Sequence, residues 1–134
     1  MANALYPVSI KKFADGEIDW LDADIKVVLV DTGAYTYSAA HEDLADIAAG
    51  ARIATSGGLA SKTSTGGVCD AADVVVSGVT GTTVEAVVVY KDTGTAATSP
   101  LIAYIDTGTG FPLTPNGGAV TVQWSNGADK IFSL

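Results

Sequence analysis

The dominant pattern along the chain is an alternation of apolar and other residues, and its period of two indicates β-strands. The strongest runs are residues 25–30 and 84–90. In the first, one face carries Ile25, Val27 and Leu29. In the second, one face carries Val84, Ala86, Val88 and Tyr90, and the reverse face carries Val87 and Val89. Apolar residues on both faces predict central strands of a sheet that is covered on both sides.

Shorter strand signals occupy much of the remaining chain, at residues 52–54, 74–76, 101–105, 120–124 and 131–133. Turns are predicted at residues 115–118, where Pro-Asn-Gly-Gly interrupts any strand, and at Asn126 and Gly127, which tolerate positive φ. Residues 57–67 are rich in Ser, Thr and Gly and are predicted to form a mobile loop. Many short strands separated by turns are typical of sandwiches and barrels. The prediction is one all-β domain over residues 1–134, a single-domain β-sandwich with the jelly roll as a candidate form.

The first of two short peripheral helices is predicted over residues 8–14. At helical spacing, Ile10, Phe13 and Ala14 share one face, which we expect to point inward. Gly16 follows at a position where glycine commonly ends a helix.

The second helix is predicted over residues 39–48. Ser38 precedes it as the N-cap, and acidic residues occupy its first turns. Leu44 and Ile47 are expected to face inward, and Gly50 is expected to end the helix.

Composition narrows the classes of function. The chain has 134 residues, a net charge of -8 and only 16% charged residues, and 48% of its residues are hydrophobic. Seven scattered basic residues argue against binding to nucleic acid or to anionic membranes. Neither a membrane-spanning stretch nor a signal peptide is visible in the sequence. A surface short of charge indicates a subunit of an assembly, and we expect a homo-oligomer.

The triplet Asp-Thr-Gly occurs three times, at residues 31–33, 92–94 and 106–108. After an apolar run, residues 28–34 resemble the active-site loop of retroviral aspartic proteases. That chemistry needs two carboxyl groups that share one proton, and a homodimer of a chain this length could supply the pair. The stronger interpretation is a turn in which Asp accepts a downstream backbone N–H and Gly ends the strand. A protease-like enzyme is therefore kept only as a minor alternative.

A second candidate is an acidic segment with five carboxylates, Asp15, Glu17, Asp19, Asp22 and Asp24. Carboxylates in a loop can bind calcium, but the helix-loop-helix pattern needs Gly and Glu where this chain has Trp20 and Lys26. The alternation in residues 17–20 favours the exposed face of a strand, with Ile18 and Trp20 pointing inward. We leave calcium binding open and predict no metal site.

The single histidine and the single cysteine add no catalytic group. His41 lies at the start of a predicted helix and is interpreted as a surface residue. Cys69 has no local activator and is interpreted as a small buried residue; a lone thiol fits a reducing compartment. No catalytic, cofactor-binding or metal-binding residue is predicted, and we expect a protein that is neither an enzyme nor dependent on a cofactor.

Six segments of the chain are similar to known sequences: residues 2–7, 16–20, 25–31, 35–41, 90–96 and 126–132. Together they resemble a family of small virion proteins of tailed bacteriophages. The resemblance implies a virion structural protein made in the host cytoplasm, with the major capsid protein or other virion proteins as partners.

Within that class, the first expectation is a decoration or cement protein that binds the outside of the capsid and stabilises it. The alternative is a head- or tail-fibre module that binds a host-surface glycan. For that alternative, Tyr35 and Tyr37 are the candidate stacking residues, and packing within the loop is the competing interpretation of this pair.

Overall fold

The computed structural model describes residues 4–107, 111–124 and 130–134. These residues form one α-helix and ten strands. In chain order they are β1 (Ala4–Leu5), α1 (Pro7–Ala14), β2 (Ile25–Val30), β3 (Arg52–Thr55), β4 (Thr63–Thr65), β5 (Val68–Asp70), β6 (Val74–Val76), β7 (Ala86–Lys91), β8 (Leu101–Ile105), β9 (Val120–Val122) and β10 (Phe132–Ser133). Short 3₁₀ turns lie at Leu44–Asp46, Ala49–Ala51 and Ala96–Thr98.

The main sheet is antiparallel and has the strand order β1-β8-β7-β2-β3. Its longest ladder joins β2 and β7, from Ile25 opposite Lys91 to Val30 opposite Ala86. Every residue of β7 from Ala86 to Tyr90 is buried. The expectation of central strands covered on both faces is therefore confirmed for β2 and β7.

The predicted strand at residues 84–90 starts before the observed strand β7, which begins at Ala86. Val84 is outside β7 and forms an isolated bridge with Leu113, in which each backbone N–H donates to the other residue's carbonyl at 2.8 Å. Its side chain belongs to the core on the opposite face of the sheet from Ala86 and Val88. The assignment of Val84 to the same face as Ala86 was wrong, because the chain changes pairing partner between these residues.

A first core lies between one face of the main sheet and two small sheets. The small sheets have the strand orders β10-β5-β4 and β6-β9. Val27 and Val89 contribute from the main sheet, and Cys69, Val76 and Phe132 contribute from the small sheets. Sheet packed on sheet in this way is the sandwich arrangement, so the mainly β fold class is confirmed. A jelly roll has eight strands in two sheets, whereas the described residues form three sheets.

A second core covers the other face of the main sheet. The sheet contributes Val28, Val30, Ala86, Val88 and Tyr104, and the cover comes from α1, the residue before it and the segment 35–51. Tyr6 is central to this cover. Its N–H donates to the carbonyl of Ile102 at 2.9 Å, and its hydroxyl lies 2.8 Å from that of Tyr35.

The five shorter predicted strands lie where the structure has strands, but three of them differ from the observed strands in length. Residues 74–76 and 101–105 match β6 and β8, and the other three signals overlap β3, β9 and β10. The sequence pattern did not indicate β1, β4 or β5, and β4 lies inside the predicted loop 57–67. The predicted turn at Asn126 and Gly127 falls outside the described residues.

The first predicted helix is present, but its inward face differs from the prediction. Ile10 is 51% exposed and Ala14 is exposed, whereas Ser9 is fully buried. The Ser9 hydroxyl donates to the carbonyls of Tyr6 at 2.7 Å and Ile102 at 3.1 Å, which turns this side of the helix toward β8.

In the described part of the chain no helix has the length and apolar character needed to cross a membrane.

The second predicted helix, residues 39–48, does not form; only the 3₁₀ turns Leu44–Asp46 and Ala49–Ala51 occur in or beside it. The reason is a tertiary pairing. Leu44 donates its N–H to the Ser99 carbonyl at 2.8 Å, and the N–H of Leu101 donates to the Glu42 carbonyl at 2.9 Å. This segment therefore holds an extended conformation against β8, although Leu44 and Ile47 are buried as expected.

The contacts of Tyr6 generate a stability prediction. Replacing Tyr6 with Phe should lower the free energy of unfolding by about 1 kcal/mol, because the buried hydrogen bond to Tyr35 is lost. Tyr6→Ala should cost about 3–5 kcal/mol, because a cavity forms beneath the cover. Urea unfolding followed by circular dichroism measures both values.

The exposed residue Ile10 supplies the control on the same helix. Ile10→Ala should change stability by less than about 0.5 kcal/mol. An equal loss in Tyr6→Phe and Ile10→Ala would contradict the central role of Tyr6.

Candidate functional site

The first Asp-Thr-Gly triplet forms a turn directly after β2. Asp31 Oδ1 accepts the N–H of Gly33 at 2.8 Å, and Oδ2 accepts the hydroxyl of Thr82 at 2.8 Å. The Thr82 hydroxyl and the Gly33 N–H hold the pKa of the Asp31 carboxyl below its usual range. Both oxygens are thus occupied by donors that stabilise the ionised form.

The second triplet repeats this turn after β7. Asp92 Oδ1 accepts the N–H of Gly94 at 2.9 Å, and Oδ2 accepts from Lys26 Nζ at 2.6 Å. The Lys26 ammonium and then the Gly94 N–H hold the pKa of Asp92 below its usual range. In the third triplet, Gly108 lies outside the described residues.

The register of the main sheet determines which of these carboxyl groups lie near one another. Ile25 is opposite Lys91 and Val30 is opposite Ala86, so Asp31 and Asp92 lie at opposite ends of the β2–β7 ladder. Asp106 follows β8 at the same end as Asp31, but β7 lies between them. Two strand spacings separate their backbones by about 10 Å. Within one chain, this geometry favours the turn interpretation over a proton-sharing pair.

The acidic segment lies at the surface and is paired with lysines instead of being gathered around a cation. Asp15 binds Lys11, and Glu17 accepts from Lys12 Nζ at 2.8 Å. Asp19 Oδ1 accepts the N–H groups of Leu21 at 3.1 Å and Asp22 at 3.3 Å. Within the described ranges, no three His, Cys, Asp or Glu side chains form a group that could hold a metal ion.

Residues 17–20 do not form the predicted strand, although their alternation is correctly interpreted. Ile18 is 3% exposed and Trp20 is 4% exposed, while Glu17 and Asp19 are exposed. The indole N–H of Trp20 donates to the Asp70 carbonyl at 3.2 Å. Because this contact attaches the segment to β5 through the Trp20 side chain, the alternation persists without a backbone ladder.

Four of the five tyrosines form a cluster with His41 over the second core. The Tyr35 hydroxyl lies 2.8 Å from the Tyr6 hydroxyl and 2.8 Å from Nδ1 of His41. The Tyr37 ring lies 4.9 Å from that of Tyr6, and its hydroxyl donates to the Leu5 carbonyl. Burial raises the pKa of Tyr6, and burial together with nearby Asp106 raises that of Tyr104 to about 12.

These contacts correct two interpretations of single residues. Tyr35 is only 5% exposed and Tyr37 is half-buried, so neither is an exposed platform on which a sugar could stack. His41 is a half-buried partner of Tyr35 and not a free surface residue. The sequence could not show this, because Tyr6 lies 29 residues from Tyr35 in the chain.

Cys69 is a small buried residue of β5, as expected. It is 1% exposed, and burial raises the pKa of its thiol. A raised thiol pKa lowers the fraction of reactive thiolate.

The exterior is dominated by Ala, Gly, Ser and Thr. All seven basic residues lie in the described ranges, and Lys11 alone is exposed while the others are half-buried. Several lysines fold back onto the protein: Lys62 binds the Ala23 carbonyl, and Lys91 Nζ donates to the Glu17 carbonyl at 2.7 Å. The outward charge of the surface is therefore mainly acidic.

Searches among protein families and among curated proteins found no match to this chain.

The Asp92 turn generates a pH prediction. Its pKa is lowered in the folded state, so its contribution to stability is present above the ordinary Asp pKa of about 3.9 and is lost as the pH falls through the folded value. Asp92→Asn should reduce stability at pH 7 by up to about 1 kcal/mol. The difference from the unaltered protein should narrow below about pH 4. Thermal unfolding at several pH values measures it.

The exposed Asp22 provides the matched control, since Asp22→Asn removes the same charge without removing a contact to Lys26. A constant difference between the Asp92→Asn and unaltered proteins from pH 7 to pH 2 would contradict the assigned role of the carboxylate.

The Asp31 turn generates a prediction about catalysis. Purified protein should show no peptidase activity on a mixed peptide library, and Asp31→Asn should leave this result unchanged. Activity that disappears with Asp31→Asn would show that the turn interpretation is wrong and that the chain is an enzyme.

Proposed function

We propose that this chain is a structural protein of a tailed-phage virion, and that it decorates the capsid and stabilises the shell. The observation that carries the proposal is the exterior, in which small uncharged residues predominate and several lysines fold back onto the protein. Such surfaces can be buried against another protein without the desolvation cost that charged side chains impose. The resemblance to small virion proteins supports the same class.

The two cores support this role mechanically. The main sheet is enclosed on both faces by apolar side chains, so its strands hold their positions from both sides. Close-packed interiors resist deformation. A body of this kind can bridge neighbouring capsid subunits and transmit load between them.

Each contact between this chain and the capsid can be weak, because many copies repeat it across the shell. A standard protein–protein contact buries about 800 Å² on each partner. When the same contact recurs across a shell, its total contribution to shell stability is large. The proposed partners are the major capsid protein or other virion proteins, with association between copies of this chain on the shell.

The decisive experiment compares complete particles with particles assembled without this protein. Particles that lack it should release DNA at a lower temperature and under milder osmotic shock, because the shell loses its external bridges. They should adsorb to cells at the normal rate. Adding purified protein back should restore heat resistance, and the bound protein should co-sediment with the particles at high salt, since screening affects mainly ionic contacts.

Adsorption is the internal control of this experiment. Normal heat resistance combined with lost adsorption would overturn the capsid role in favour of a fibre module. Release of the bound protein by moderate salt would show that the contact is ionic and contradict docking through the uncharged exterior.

A further inference from the structure

An open cleft of about 320 Å³ lies where the end of α1 meets the segment that follows it and the β4-β5-β10 sheet. Its apolar wall includes Phe13, Trp20 and Leu21. Asp19 and Ser64 supply polar groups. A concave apolar surface with a few polar groups is the usual form of a binding site.

The cleft is bordered by an exposed leucine. Leu21 is 53% exposed, although its neighbour Trp20 is only 4% exposed. The rings of Trp20 and Phe132 are in edge contact with their centroids 5.2 Å apart, so Trp20 is packed from behind by a residue outside the cleft lining. An incoming apolar side chain would remove both Leu21 and the cleft wall from water, and this is a favourable change.

The charge around the cleft selects the partner. Among the described lining residues, Asp19 is the one with a charged side chain. Both of its hydrogen bonds to backbone N–H groups end on Oδ1, which leaves Oδ2 for an incoming donor. Lys11 and Lys12 are bound to Asp15 and Glu17.

We propose that this cleft docks a segment of a partner protein that inserts one large apolar side chain and places an adjoining lysine or arginine against Asp19. A second copy of this chain is a poor occupant, because the net charge is -8 and its exposed lysine, Lys11, is already bound to Asp15. This binding can be measured on the purified chain without particles, and it goes beyond the proposed role on the capsid.

The test is an NMR titration of the isotopically labelled full chain with the peptide acetyl-Gly-Lys-Phe-Lys-Gly-amide. The indole N–H of Trp20 and the amides of Leu21 and Ser64 should shift with saturation. Two further peptides are matched to it: one replaces Phe with Ala and the other replaces both Lys with Glu. Each should bind at least about tenfold more weakly, since an apolar anchor and a cation are both required.

Variants of the protein locate the site. Ser64→Phe fills the cleft from an exposed position and should weaken binding at least about tenfold. Asp19→Asn should weaken it about threefold or more and reduce its salt dependence, while the Asn oxygen still accepts the two backbone N–H groups. Val75→Ser removes an equally exposed apolar side chain (54%) elsewhere and should leave binding unchanged.

Three outcomes would overturn the proposal. Equal affinity for the Phe and Ala peptides would show that the peptide is held only by general attraction between opposite charges. Unchanged binding by Ser64→Phe would place the peptide elsewhere. Shifts of the cleft resonances with protein concentration alone would assign the cleft to a second copy. None of these results affects the heat-resistance experiment on particles, so the two proposals fail separately.

Discussion

The rest of the structure depends on one constraint: the main sheet is apolar on both faces. A sheet with one solvent-exposed face needs a packed layer on its other face only. β2 and β7 bury side chains on both faces, so the main sheet needs a layer on each. One cover is made by the small sheets and the other by α1 with the segment 35–51. Much of the remaining chain therefore covers this sheet, partly as small sheets and partly as a helix with an irregular segment.

The parts of the fold that the sequence predicted are those in which local pattern and tertiary environment agree. Residues 25–30 and 101–105 are visible as nearly continuous apolar runs, because side chains on both faces of these strands are buried. The prediction for residues 39–48 was wrong because their helical spacing competes with backbone pairing to residues 99–101, nearly 60 positions away. β4 was missed for a related reason: Thr63, Ser64 and Thr65 are all exposed and carry no apolar signal.

The candidate sites also contain features that local sequence encodes and features that depend on distant residues. The Asp-Thr-Gly turns follow from local chemistry, since the side chain of Asp and the N–H of the second residue after it are always close in such a turn. The partners that lower the pKa values of the two carboxyl groups, Thr82 and Lys26, come from distant parts of the chain and no local pattern indicates them. Likewise, the cleft joins residues near position 20 to Ser64 and is visible only in three dimensions.

The order of strands in the main sheet has a consequence for synthesis. β1 contains residues 4 and 5, yet its neighbour in the sheet is β8, which begins at Leu101. β8 also completes the pairing of β7, so neither the start of the chain nor its central strand has its full set of partners until residues 101–105 exist. Long-range pairing of this kind closes large loops and slows folding. A nascent chain would therefore leave the ribosome with β2 and β7 still lacking part of their cover, and their valine-rich faces would be exposed to other chains until residues 101–105 had been made.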